Sequence, residues 1–264
     1  MKALEVEAYL QSLNGGWVDY SQSVDTWKAG DPEAEVKGIA VAWMSYRWAL
    51  EKAAEMGCNL FITHEPTFFH HLDNDPAILA WPESRSKRAL IESLGLTVLR
   101  CHDLWDQYPE IGIPDSWGKK LGLGEPIEGQ GFYRVYDGLG RKAIEIARDF
   151  AARVSDLGQP GVHLVGTPDR RINRIALGTG ACTPYFEMLT RYTADLVICA
   201  DDGMWYWRDA AHAIDNGHNI LVFHHHVTED YGMELLATHL AARYPSVPIR
   251  FIKQSCMYQL VSPG

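Results

Sequence analysis

The sequence predicts an α/β protein of two pseudo-repeated lobes, each built on a mostly parallel sheet. Three observations carry this expectation. Short apolar runs alternate with amphipathic stretches, the pattern of strands joined by crossover helices. The order β-α-β-α-β occurs twice along the chain. The first step of each copy also has one length: 21 residues from Ile39 to Leu60, and 21 from Ile175 to Leu196.

In chain order, "MKALEVEAYLQSLNGG" reads as an amphipathic helix stopped at Gly15-Gly16. "GIAVAW" (38–43) is a strand of the kind buried on both faces. "SYRWALEKAAEMG" (45–57) is a helix closed by Gly57, and "NLFIT" (59–63) the next strand. A helix over 84–95 and a strand over 96–101 complete the first copy. The second copy has strands at 174–180, 195–200 and 219–225, with helices at 183–192 and 207–217. Its second step takes 24 residues where the first copy takes 36, so "PTFFHHLDNDPAILAWPE" (66–83) reads as a loop insertion. Between the copies lie a Gly/Pro-rich linker, a strand in "GFYRVY" (131–136) and a helix over 141–156. The tail 247–261 supplies one or two last strands. The expected lobes are 1–125 with 226–264, and 126–225.

The 264 residues, 47% hydrophobic and 22% charged, suffice for one large domain or two small lobes. A net charge of −10 disfavours a sequence-independent grip on nucleic acid. "PDRRINR" (168–174) is the most basic run and reads as a solvated loop. The five cysteines (58, 101, 182, 199, 256) are scattered and odd in number, which points to core residues in a reducing compartment. No basic-then-apolar leader opens the sequence, and no apolar run approaches the roughly 18 residues that cross a bilayer. A cytoplasmic protein is expected.

In open parallel sheets, functional groups gather past the carboxyl ends of strands. Here those ends carry His64 and Glu65; His102, Asp103 and Asp106; Asp201 and Asp202; and His224, His225, His226 and Glu229. One strand-end histidine has an ordinary structural explanation. Four loaded ends are harder to dismiss, because clustered buried carboxylates are costly without cations. Imidazoles with carboxylates are the ligand set of Zn²⁺, Mn²⁺, Fe²⁺ and similar ions. His225 and Glu229 are four apart, as are His102 and Asp106, so a helical turn puts each pair on one face.

"GDPEAEVKGIAVAW" (30–43), "GCNLFITHEP" (57–66), "CHDLWD" (101–106) and the closing His225-x-x-x-Glu229 together resemble the Nif-three-like family. These dinuclear-metal-centre hexameric proteins are often labelled GTP cyclohydrolase I type 2-like. The resemblance spans nearly the whole chain. It implies a two-lobed Nif-three-like fold, a ring-shaped homohexamer and two divalent metal ions (Zn, Mn, Fe or similar) at the lobe junction. Carried over by position, the metal ligands are His64, Glu65, Asp106, His225 and Glu229. Glu65 departs from the pattern, which usually has a second histidine there; a carboxylate favours harder ions. "ADDGMWYW" (200–207) departs as well, and points to a more aromatic pocket.

Other features are weaker. "GTGAC" (178–182) lacks the third glycine of a dinucleotide fingerprint and any Walker lysine, so it reads as a tight turn. His70 and His71 read as solvated. "WYW" (205–207) would wall a cleft that stacks a ring, or pack in a core or subunit interface. The functional expectation is a dinuclear metal-dependent hydrolase acting on a phosphate, amide or ring carbon of a small molecule that the residues do not name, a nucleotide-like one being a candidate. Asp103 would be its general base, or would orient a histidine ligand. The alternatives are a non-catalytic metal-binding hexamer, acting in metal handling or as an interaction platform, and a plain α/β protein without metal. No membrane or nucleic-acid partner is expected.

Overall fold

Every residue of the continuous apolar runs Ile39–Ala42, Leu60–Thr63 and Thr97–Arg100 is buried, as strands covered on both faces require. These runs organise the first of two compact units in the computed structural model, which describes residues 1–181 and 184–261. The first unit is Met1–Gly112 with Met233–Gln254; the second is Ile113–Gly232 with the residues from Ser255 on.

In chain order the elements are α1 (Ala3–Ser12), β1 (Trp27–Ala29), β2 (Ile39–Ala42), α2 (Arg47–Glu55), β3 (Leu60–Thr63), α3 (Pro76–Leu79), α4 (Pro82–Ser93) and β4 (Thr97–Arg100). There follow α5 (Ile113–Lys120), β5 (Glu128–Gln130), β6 (Tyr133–Lys142), α6 (Ala143–Val154), β7 (His163–Val165), β8 (Arg171–Leu177) and α7 (Tyr185–Tyr192). Last come β9 (Leu196–Ala200), a π-helical turn (Tyr206–Ala210), α8 (Ala211–Asn216), β10 (Asn219–Phe223), α9 (His225–Arg243) and β11 (Ile249–Phe251).

The first sheet has the order β1-β4-β3-β2-β11, with β11, β2, β3 and β4 parallel and β1 antiparallel on the edge. Phe61, Val98, Leu50, Ala53, Ile91 and Phe68 share one core cluster of this unit. The second sheet has the order β5-β6-β8-β9-β10-β7. Its centre, β8-β9-β10, is parallel, and β6 and β7 are antiparallel to their neighbours. The period of two in a strand is plain here. Leu196, Ile198, Leu221 and Phe223 join one cluster with Trp117 of α5 and Phe150 of α6. Val197, Cys199, Ile220 and Val222 join another with Tyr185 and Met188 of α7.

Both sheets are thus mixed, the first mostly parallel and the second parallel across its central strands, as the alternating pattern predicts. Other segments depart from the sequence reading for local reasons. The insertion is partly helical: Asp75 Oδ1 accepts Ala77 N–H at 2.8 Å and caps α3, and α4 begins at Pro82. β6 continues through "DGLG" (137–140), where the register shifts, so a turn-like sequence is a bulge inside a strand. α5 contains both Pro and Gly and gives little helical signal. α9 extends far beyond the single turn expected at His225–Glu229. Its buried positions include Thr228, Glu229 and Asp230 besides Met233, Leu236 and Leu240, so no apolar stripe marks it. Cys58, Cys101, Cys199 and Cys256 are free thiols, and Cys182 lies outside the described residues. Among the described residues no helix is long and apolar enough to cross a membrane.

Trp117 is fully buried, and its ring meets Phe223 edge-on with centroids 4.9 Å apart. Truncating a buried aromatic leaves a cavity and loses its transfer free energy. Trp117→Ala is expected to lose about 3–5 kcal/mol in urea unfolding; a loss under about 1 kcal/mol would contradict this packing.

Candidate metal centre

Parallel pairing aligns the carboxyl ends of β3 and β4, with Thr63 opposite Arg100. The residues that follow each strand therefore emerge side by side. His64 is fully buried and its Nδ1 lies 3.2 Å from the Cys101 carbonyl. A carbonyl only accepts, so Nδ1 carries the proton and Nε2 keeps its lone pair. That lone pair lies 3.3 Å from Asp106 Oδ1. The oxygen is buried and accepts no hydrogen bond among the described residues. Two lone-pair atoms held this close away from water require a cation, a proton or a metal ion, between them. His102 completes the group: its ring stacks on that of His64 at 4.5 Å, and Nδ1 lies 3.3 Å from Asp106 Oδ2. One ligand atom each of His64, His102 and Asp106 lies within 4.8 Å of the others. The donor set suits a divalent transition ion.

The loop after β4 is held from behind by Asp25. Its Oδ1 accepts the N–H groups of His102 at 2.6 Å and Asp103 at 2.9 Å, and its Oδ2 accepts that of Leu104 at 2.9 Å. Asp103 sits against His102 Nδ1 at 2.8 Å and also accepts Ser23 Oγ–H and Val24 N–H. Burial alone would raise the Asp103 carboxyl. The hydrogen bonds from His102 and Ser23, with the His102 charge, outweigh it and hold the group well below the usual carboxylate range. The carboxylate set against the His102 ring suits the orienting role. Glu65 is buried, with Oε2 3.5 Å from Arg100 Nη2. Arg100 in turn donates to the carbonyls of His64 and His71. The His71 ring meets His102 edge-on at 5.9 Å, so it borders this group although the sequence reads it as solvated.

The second unit repeats the arrangement. Phe223 pairs with Ala200, so the ends of β10 and β9 emerge together. His225 N donates to Asp201 Oδ1 at 2.9 Å, and its Nδ1 meets Asp202 Oδ2 at 2.8 Å. With Nδ1 so engaged, Nε2 faces Glu229 Oε1 at 3.1 Å, one turn along α9. Of the histidine run, His225 faces Glu229. His226 Nε2 pairs with Asp230 at 2.9 Å in the interior, and the His224 ring meets Tyr258 edge-on at 4.6 Å. Gly180 closes over the pair. A Cβ there would lie 2.6 Å from both Glu229 Oε1 and His225 Nε2, and its φ of +50° favours glycine. The tight turn expected in "GTGAC" is thus also a cover for His225 and Glu229.

The four-residue spacing paired His225 with Glu229 and His102 with Asp106, and each pair meets; His64, carried over separately as a ligand, lies against Asp106 as well. Sequence reasoning left His102 out of the ligand set, although that spacing marks it. It had no signal for Asp25, which lies 77 residues before His102.

A profile of the Duf34/NIF3 (NGG1p interacting factor 3) family matches residues 18–256. The chain belongs to this family. It is 26% identical over 197 residues to a GTP cyclohydrolase 1 type 2 homolog of Allochromatium vinosum, covering 74% of each chain. A protein of the same name from Pseudomonas aeruginosa is 24% identical over 232 residues, covering 80% of this chain and 81% of that one. A solved Bacillus cereus protein related to NIF3 superposes with a TM-score of 0.80 over 99% of both chains at 13% identity, a likeness of fold. Within the Duf34/NIF3 fold of this chain, both histidine–carboxylate pairs stand at the carboxyl ends of central parallel strands.

Gly180→Ala is expected to destabilise the chain by about 1–3 kcal/mol in thermal unfolding, through left-handed strain and overlap with His225 and Glu229. In the double variant with His225→Ala much of the overlap is relieved, so the costs fall short of additivity. Strict additivity would show that Gly180 does not bear on the pair.

Proposed function

We propose that the protein binds two divalent cations through His64, Glu65, Asp106, His225 and Glu229, with His102 as a further ligand, and acts as a metal-dependent hydrolase. The observation that carries this reading is the doubled motif. In each unit an imidazole has its Nδ1 tied to a carbonyl or carboxylate while Nε2 is turned on a buried carboxylate oxygen, 3.3 Å away in one unit and 3.1 Å in the other. Such backing fixes the tautomer and ring orientation that metal binding needs. Bound divalent ions would supply Lewis acidity and lower the pKa of a water. The chain's part is to fix the orientation of the histidine rings, to set the Asp103 carboxylate against His102, and to exclude bulk water by burying His64, Asp106 and Glu229.

The substrate in this reading is small and carries a planar ring, as a nucleotide does. Trp205, Tyr206 and Trp207 are 55%, 75% and 63% exposed and directly follow the Asp202 loop. Exposed indoles stack bases readily. Asp209, buried beneath them, accepts Trp205 N–H at 2.9 Å and Arg208 Nε–H at 2.6 Å, and so fixes the turn. The homohexamer implied by the resemblance belongs to the same proposal, and so does a cytoplasmic setting.

Protein purified without chelator is expected to carry about two divalent ions per chain by elemental analysis. His64→Ala and His225→Ala should each lose metal while light scattering shows the same oligomer. Turnover on a panel of phosphomonoesters, phosphodiesters and nucleotides should disappear with either. Tight metal without turnover on the whole panel would favour the metal-handling alternative. Less than half an equivalent of any transition metal would overturn both.

A further inference from the structure

The insertion that lengthens the first copy, 66–83, builds a cleft that the metal centre does not use. The cleft has a volume of about 440 Å³ and is lined by Arg47, Phe69, Pro82, Glu83, Ser86 and Lys87. Phe69, Pro82 and Glu83 come from the insertion; Arg47 lies on α2, and Ser86 and Lys87 on α4. Arg47 Nη1 donates to Ser86 Oγ at 3.1 Å, which sets the guanidinium at the cleft wall.

Lys87 is a buried lysine at the cleft wall. Its residue surface is only 4% exposed. Nζ donates to the Thr67 carbonyl at 2.7 Å and lies 5.3 Å from the centre of the Phe69 ring. A neutral carbonyl and a ring face compensate a buried ammonium only in part. The carboxylate that bears on it, Asp73, is largely committed elsewhere. Its oxygens accept the N–H groups of Thr67 at 2.8 Å and Phe68 at 2.6 Å, and Oδ2 lies 4.0 Å from the buried Lys28 Nζ. Arg47 adds a like charge, and Glu83 is the acid of the cleft wall. Burial, the leading cause, pushes the Lys87 amine down to about 8, against the pull of Asp73. A desolvated lysine so placed is a nucleophile in mildly alkaline solution.

We propose that Lys87 is a reactive amine that captures small anionic aldehydes from this cleft as imines, with Arg47 holding their anionic group. The Nζ lone pair adds to the carbonyl carbon. Both amine hydrogens then leave with the carbonyl oxygen as one water, and a C=N bond remains. No oxidant or reductant takes part, and water reverses the step. The flat Phe69 ring gives the body of the aldehyde an apolar wall.

The test uses the full chain with pyridoxal 5′-phosphate as probe, borohydride trapping and peptide mapping. At low reagent Lys87 is expected to take most of the label, with a half-maximal rate near pH 8. Chelator should leave this labelling unchanged, so its outcome is separate from that of the metal reading. Arg47→Ala should slow labelling of Lys87 about tenfold, the loss of one charge-assisted anchor. Mapping the unmutated chain keeps the test open even if Lys87→Met fails to fold. Label spread over exposed lysines with Lys87 unmodified, or Lys87 reacting only above about pH 10 as an ordinary lysine does, would overturn the proposal.

Discussion

The structure turns on one electrostatic constraint, the close approach of lone-pair atoms in buried surroundings. His64 Nε2 faces Asp106 Oδ1, and His225 Nε2 faces Glu229 Oε1, at distances where a proton or a metal ion between the two atoms turns repulsion into attraction. Folding alone would not select such pairs, since burying a carboxylate near an imidazole lone pair costs stability. The surroundings are therefore built to enforce them. Parallel register places the strand ends, α9 supplies the one-turn spacing, and Nδ1 acceptors turn each ring. Asp25 gathers three amide N–H groups to hold the loop that carries His102 and Asp106.

The two units reach the same local answer with different parts. In the first, a main-chain carbonyl backs the histidine, and the carboxylate arrives on the loop after the next strand. In the second, an aspartate backs the histidine and the carboxylate lies on the same helix. Arg100 and Glu65 add a buried pair in the first unit, and Gly180 adds a tight cover in the second. The pseudo-repeat thus preserves the placement of chemistry at strand ends and leaves each unit's means of enforcing it to vary.

The strands and the loaded strand ends were legible in the sequence because both are local patterns. Continuous apolar runs marked β2, β3, β4, β9 and β10, and a histidine or acid directly after the run marked the site. Pairing at four-residue spacing exposed His225 with Glu229 and, unexploited, His102 with Asp106. What stayed hidden depends on contacts remote in sequence. Asp25 reads as one more surface acid until the fold sets it behind residues 102–104. Gly180 reads as a turn glycine until His225 and Glu229 are found against it. α9 hid because its early positions bury polar groups, which erases the stripe that marks an amphipathic helix. The three-residue strands β1, β5 and β7 are too short to show any period.

The pairing of β11 with β2 carries a consequence for biosynthesis. The first sheet begins near residue 27 but is completed only by Ile249–Phe251. A ribosome must therefore emit the whole of residues 113–232 while one side of β2 still lacks its neighbour. An open strand edge invites pairing with other chains. The first sheet thus closes only when the chain returns to it at β11, and until then the open edge of β2 needs shielding from other chains.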